Sequence, residues 1–455
     1  MLCRSRPYIL PALAFISLTI AKGEAAPLLE PQCERPVAGV VLTLQAAADR
    51  LRRCNAALLE AQDDLAAAQA DLITADHAPN PTLGMSLSNI NPKVGVGSGP
   101  LIHRTVDSGL RIDELVERGG KRTARRHAAL AGTLAAGLTL HDTELRSGQS
   151  LLEAYVTAAA AAQSVELLNQ AAASYRESAA AMDRRLAAGD VARIEVDRTA
   201  LDAGRAAADA QAAQTVLTQA RADLAALLGA GPLPPDTRLL TLAELASRRG
   251  SPPADRVPTA QLIHDRADVQ AAAARVDAAE GALAAAKAAR VRDVDVSLGF
   301  DHWPVSAADP QGTGDSFTIG ASIPLQWFDS GRGAVGHAFA DLHSAQTEWL
   351  RTQTDAESEM RTAREMLSRG DALAARYRED WVPGANRILA AQERAYRRGG
   401  TSLLDLLDAR RNARQVSLAA VAAERDAQVA AGRLALALGS DPLALFLRED
   451  GLVEH

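Results

Sequence analysis

The chain has 455 residues, a formal net charge of −7 and 3% aromatic residues, with arginines and acids interleaved along its length. It shows no basic face for nucleic acid, no phosphate-binding glycine loop, no zinc-ligand histidine pair and no nucleophile elbow, which excludes nucleic-acid binding and argues against an enzyme. A helix-forming, aromatic-poor composition of this kind points to one elongated architecture.

At the N-terminus, Arg4 and Arg6 precede an apolar run from Tyr8 to Ala21, and small residues follow in KGEAA. The run is shorter than the ~20 residues that span a bilayer, so residues 1–26 read as a secretory signal. Cys3 lies within it. Cys33 and Cys54 remain, and in an exported chain they form either a disulfide or two free thiols. They are not spaced as a metal site, and Glu-Pro-Gln before Cys33 is not the small-residue context of a lipidated cysteine.

Residues 41–78 read as an amphipathic helix ended by Pro79. Two alternating segments follow, 82–90 (Leu83, Met85 and Leu87 against Thr82, Gly84, Ser86 and Ser88) and 105–115 (Val106, Leu110 and Ile112 against Asp107, Arg111 and Asp113). Period two with one apolar and one polar face is the signature of a half-buried strand. Long helices are expected over 121–186 and 191–228, followed by a Pro/Gly-rich connection at 230–258. The pattern then recurs as a helix over 259–290, strands at 293–302 and 316–326, helices over 334–398 and 401–438, and a tail at 440–455. Pro383 and Gly384 are expected to kink or break the helix over 334–398.

The recurrence is a duplication. Gly189 and Gly229 lie on Gly399 and Gly439 at an offset of 210, residues 59–72 lie on 270–283 at 211, and Gly119 falls on Gly331 at 212. A period near 210 is far beyond the ~20–50 residues of a solenoid unit, so 27–229 and 259–439 read as two half-molecules. A soluble sandwich would alternate in the same way as these strands. Export, strand lengths of ~9–11 residues and a Gly/Ser/Asp/Arg face fit a tilted membrane strand above a wet lumen. Two hairpins cannot close a barrel and open edges are not tolerated in lipid, so several chains must share one barrel.

With these features the sequence resembles the TolC-like outer-membrane efflux channels of Gram-negative bacteria. The resemblance is carried by AYRRGGTSLLDLLDARR (395–411), RADVQAAAARVDAAEGAL (266–283), NPTLGMSL (80–87) and the duplication itself. It implies a mainly α fold with membrane β: a trimeric β-barrel with four strands per chain, above a long periplasmic α-helical barrel with an equatorial belt. The implied function is passive conduction as the outer-membrane component of a tripartite efflux system, served by a periplasmic adaptor and an inner-membrane pump of the RND type. ELVERGGKRTARR (114–126) is similar to the heavy-metal, cobalt–zinc–cadmium branch. Its Lys and Arg residues can also be read as partners of lipid head groups or lumen acids. Drug efflux, a type I secretion channel and a periplasmic coiled-coil adaptor are the alternatives. An adaptor, however, needs one hairpin plus compact β domains.

The resemblance also implies site residues. The turns at Gly189–Val196 and Gly399–Leu406, with Gly189, Val191, Gly399, Thr401, Ser402 and Leu403, would meet the adaptor. Asp405 and Asp408, three apart on one helical face, would ring the pore entrance, their repulsion raising some pKa values. The plain alternative is a pair of solvated acids at a helix start. Tyr396 and Glu195 occupy the positions of a tyrosine–carboxylate bond that holds the tips shut; Thr401 stands where the family has an arginine, with Arg193, Arg397 and Arg398 as candidate substitutes. No metal or cofactor site is expected.

Overall fold

The computed structural model describes Cys33 and residues 41–88, 90, 106–250, 260–303 and 314–447. The signal segment, both hairpin loops except for a few flanking residues, the end of the central connection and the last eight residues lie outside these.

Five helices make up the long axis. α3 (Lys121–Ala187) runs 67 residues without a break, about 100 Å at 1.5 Å per residue, and returns through α4 (Arg193–Leu227). The second half repeats this with α8 (Arg332–Arg376), α9 (Val382–Arg397) and α10 (Leu403–Ala437). The interruption expected at Pro383 is a single π-helical turn, Tyr377–Trp381, placed just before it. Proline brings no N–H and crowds the carbonyl four residues back, and a π turn absorbs both without ending the helix.

Alanine is the helices' main packing residue. Ala158, Ala159, Ala160 and Ala161 on α3 and Ala430, Ala431 and Ala435 on α10 are buried. At Gly281 on α7 (Ala267–Ala288) a Cβ would stand 2.7 Å from the Ala128 backbone of α3. Side chains this small let neighbouring helices run close together over many turns.

Two helices expected as continuous are each divided. The run over 41–78 splits at Asn55 into α1 (Leu44–Cys54) and α2 (Ala56–Ala75), and the run over 259–290 splits at Asp265–Arg266 into α6 (Ala260–His264) and α7. Asn55 and Arg266 are both extended N-caps, which hydrophobic periodicity does not register. The register of the duplication also changes at one place. Gly120 and Gly331, both left-handed, are the equivalent N-caps of α3 and α8, so the offset there is 211, not the 212 obtained by aligning Gly119.

Around the middle of α3 lies a collar. β1 (Val41–Leu42) pairs in parallel with β4 (Arg238–Leu239), α5 (Leu242–Arg248) follows, and the Gly250 N–H donates to the Leu445 carbonyl of a short 3-10 turn at 2.7 Å. Tyr155, fully buried on α3, ties the two short strands together: its hydroxyl donates to the Leu42 carbonyl at 2.5 Å and accepts from the Leu240 N–H at 3.0 Å. Burial pushes this phenol up to about 12. The largest apolar cluster, including Leu44, Leu51, Leu151, Leu224, Leu245 and Leu434, fills the same level. Cys33 and Cys54 are joined by a disulfide at its edge.

The strands form one sheet rather than two separate hairpins. β2 (Thr82–Ser88), β3 (Asp107–Val116), β5 (Val294–Trp303) and β6 (Gly314–Ser322) lie in the order β2-β3-β5-β6, every pair antiparallel. β6 ends at Ser322, so Ile323 and Leu325, expected in the strand, lie beyond it. They continue its apolar pattern, which is why alternation alone overextended it.

Candidate functional site

The sheet has two chemically distinct faces, fixed by its register. On one, Leu83, Ile112, Leu298 and Ile319 line up across the four strands, and Met85, Leu110, Phe300 and Phe317 form the next row. The Phe300 and Phe317 ring centroids are 5.2 Å apart. Met85, Phe317 and Ile319 are 75%, 76% and 81% exposed, and Trp327 and Phe328 stand out beyond the end of β6. A contiguous apolar surface of this kind must meet an apolar medium or partner. Glu114 lies toward one end of this face, and the His302–Asp315 pair toward the other at 2.7 Å.

The opposite face carries the rows Thr82–Asp113–Ser297–Gly320, Gly84–Arg111–Gly299–Thr318 and Ser86–Gly109–Asp301–Ser316. Arg111 and Asp113 pair at 2.6 Å. Small and charged side chains make this face polar. The outer edges of β2 and β6 carry backbone donors and acceptors with no strand beside them among the described residues. Among the described residues no helix is long and apolar enough to cross a membrane.

Where strand becomes helix, basic residues of 114–126 meet the chain's own acids. Lys121 Nζ lies 2.6 Å from Asp293, whose other oxygen accepts the Arg118 N–H at 2.9 Å. Arg125 grips Glu117 with both guanidinium nitrogens, and Arg122 and Arg126 reach Asp76. This explains the basic run as a brace beneath the sheet.

At the far end of the long helices, both tips turn by the same device. Gly189 (φ +81°) accompanies Asp190 N→Arg185 O and Gly189 N→Leu186 O bonds; Gly399 (φ +72°) accompanies Gly400 N→Ala395 O and Gly399 N→Tyr396 O. This is the Schellman arrangement, and its left-handed residue is easiest for glycine. The helices that follow start differently. Ser402 caps α10 in a box with Asp405, whereas Ala192 precedes α4 with no side-chain cap, leaving Glu195 at the place equivalent to Asp405. Val191 and Leu403, expected as exposed contacts, are half-buried; Leu404, Ile194, Ser402 and both glycines are exposed, and Thr401 is half-buried.

The acidic pair does not behave as two free carboxylates within the chain. Asp405 accepts from the Ser402 hydroxyl at 2.7 Å, the Thr401 hydroxyl at 3.1 Å and the Ser402 N–H at 3.3 Å. Within one chain these bonds, the Ser402 hydroxyl first, hold its carboxyl below the usual carboxylate range. Asp408 pairs with Arg411 at 3.2 Å. Tyr396 and Glu195 are not brought together either: among the described residues the Tyr396 hydroxyl accepts from Arg185 at 3.4 Å, and Arg193 is drawn to Asp197 at 3.0 Å.

The two helical hairpins are instead linked by residues that sequence reasoning passed over. Arg410 on α10 donates to the Ser178 hydroxyl of α3 at 2.7 Å and reaches Glu393 of α9 at 3.2 Å, and Arg414 pairs with Asp209 of α4 at 3.1 Å. Their i, i+4 spacing on α10 was the available signal.

The sequence profile of the family described as "Outer membrane efflux protein" matches residues 47–230 and 260–440. The cobalt-zinc-cadmium resistance protein CzcC of Cupriavidus metallidurans is 26% identical over 407 residues, covering 88% of this chain and 91% of that protein. The fold is shared with the CmeC outer membrane channel of Campylobacter jejuni (TM-score 0.73, 17% identity, 87% and 85% of the two chains). It is also shared with the open state of the MtrE outer membrane channel of Neisseria gonorrhoeae (0.70, 19%, 92% and 96%) and with CusC, crystallised in studies of transmembrane channel formation (0.69, 18%, 87% and 92%).

Proposed function

The chain belongs to the outer membrane efflux protein family, and on that premise we propose that three copies close one twelve-stranded barrel and conduct heavy-metal cations outward. The observation that carries the assembly is the four-stranded sheet, apolar on one exposed face and open at both edges. An unpaired edge in hydrocarbon is prohibitively costly, so β6 of one copy must meet β2 of the next until the sheet closes. The polar rows then line the lumen, and the long helices continue the conduit into the periplasm.

At the tips, the surface around Gly189, Gly399, Ser402 and Leu404 receives a periplasmic adaptor, which in turn engages an inner-membrane pump of the RND type. Asp408, with Asp405 behind it, supplies acid to the entrance. The chain has no chemistry to perform; it is a passive exit. Similarity to CzcC supports cobalt, zinc and cadmium as the cargo.

Two measurements test this reading. Detergent-solubilised protein should have the mass of a trimer, and a stable strand-rich monomer in lipid would refute the shared barrel. Deletion in the native host should sensitise cells to zinc, cobalt or cadmium; sensitivity to common drugs alone would overturn the metal assignment while leaving the channel intact.

A further inference from the structure

The duplication places two equivalent helix joints in the collar, and they are held by different chemistry. In each, the residue capping an upper helix also binds the last carbonyl of a returning lower helix. Asn55 accepts from the Ala57 and Leu58 N–H groups of α2 and donates through Nδ2 to Leu227 O, the end of α4, at 2.9 Å. Arg266, its counterpart at an offset of 211, donates to Ala437 O, the end of α10, at 3.1 Å.

The second joint is reinforced ionically. Arg266 is buried and also holds Asp268 at 2.7 and 3.0 Å and Glu359 of α8 at 2.8 Å. Neutral Asn55 can supply none of this. The first joint carries instead the Cys33–Cys54 disulfide, one residue before the cap. Arg50 binds Cys33 O at 2.8 Å and Leu228 O at 3.1 Å, so Cys33 and the end of α4 share one guanidinium. Gly229 packs so closely on the Cys54 carbonyl that a Cβ there would overlap it.

We propose that the Cys33–Cys54 disulfide is a covalent clamp on the first helix joint, taking the place of the ionic network at the second. Cys33 and Cys54 are each 4% exposed, and we infer with it that a periplasmic thiol–disulfide exchange protein acts on them before the collar closes over them. The reaction balances as two thiols giving up two protons and two electrons. One cysteine forms a mixed disulfide with the oxidant, the second thiolate displaces the oxidant's sulfur, and the oxidant leaves as a dithiol. The outer membrane is reached through an oxidising compartment where this exchange is available.

The test is a cycle of variants followed by amide exchange in the detergent-solubilised, full-length protein. In Cys33→Ser/Cys54→Ser, exchange at Leu58, Leu228 and Ala230 should accelerate on the order of 100-fold, the factor expected from closing a loop of about twenty residues. Val269 and Ser440 at the second joint should be unaffected. Adding Asn55→Ala should cost less in the cysteine variant than in the disulfide-bonded protein, whereas Arg266→Ala should add independently. Protein from native outer membranes should show no free thiol on denaturing alkylation. Free thiols there, equal acceleration at both joints, or strict additivity of Asn55→Ala would each overturn the clamp. Where the double variant is not recovered, Cys33→Ser alone leaves Cys54 in its packed place. If neither variant is recovered, production in a host without a disulfide oxidase decides: loss of the wild-type chain supports the proposal, and full recovery with free thiols refutes it.

Discussion

Arg266→Ala should loosen the second collar joint while leaving the first intact. The residue is 3% exposed and its guanidinium holds three acceptors at once. Hydrogen bonds involving charged groups contribute about 1.5–3 kcal/mol each. Glu359 is half-exposed, so its share is screened to little. Asp268 keeps Arg146 at 3.1 Å and the Val269 N–H at 2.9 Å, so it is not stranded. The net local cost is then about 3 kcal/mol, on the order of 100-fold faster exchange at the start of α7 and the end of α10. Arg266→Lys should recover only part of it, because one ammonium cannot span the three acceptors.

The same variant carries a pH signature. Burial alone pushes the Asp268 carboxyl up, but the Arg266 hydrogen bonds and the Arg266 and Arg146 charges outweigh it and hold it below the usual carboxylate range. A lowered pKa contributes stability that is complete above the unfolded carboxyl's pKa and lost as pH falls through the folded value. Removing Arg266 should therefore shift the acid-side loss of protection to higher pH. A change under about twofold in exchange, or full rescue by lysine, would refute the argument that Arg266 is a multi-acceptor tie.

Gly281→Ala should lower the thermal dissociation midpoint of the assembly, because its Cβ would stand 2.7 Å from the Ala128 backbone, which cannot yield; overpacking of this kind costs about 1–3 kcal/mol. Gly204→Ala, with nothing within 4 Å in the chain, is the matched control and should be neutral or slightly stabilising. Gly189→Pro or Gly399→Pro should abolish export without preventing outer-membrane insertion, since proline cannot adopt φ of +81° or +72° and the tips lie far from the sheet; normal metal resistance in both variants would remove the tips from adaptor contact. Asp408→Asn should weaken cation selectivity in planar bilayers, whereas Asp405→Ala should first fray the start of α10, measured as faster amide exchange there, because its carboxylate is engaged by Ser402 and Thr401. Unchanged selectivity in Asp408→Asn with an open, conducting pore would return Asp408 to the role of a solvated partner of Arg411.

Periodicity and duplication were enough to read the long helices, the four strands and the equivalence of the halves. Hydrophobic pattern is a local property repeated along the chain, and Gly189 and Gly399 announce their turns because few other residues tolerate those angles. What stayed hidden was set by partners distant in sequence. Asn55 and Arg266 look like interior residues of amphipathic helices until each meets a carbonyl more than 170 residues away. That long-range bond offsets the cost of breaking the helix there. The pairing of β3 with β5 likewise joins segments far apart in sequence, so it is visible only once the two halves pack. Asp405 shows the reverse limit. Its sequence position left a pore acid and a helix-start acid both open, and only the fold shows Ser402 close enough to engage the carboxylate as a helix cap. Composition and spacing determined which elements exist; side chains meeting across the duplicated halves decided where they break and what holds them together.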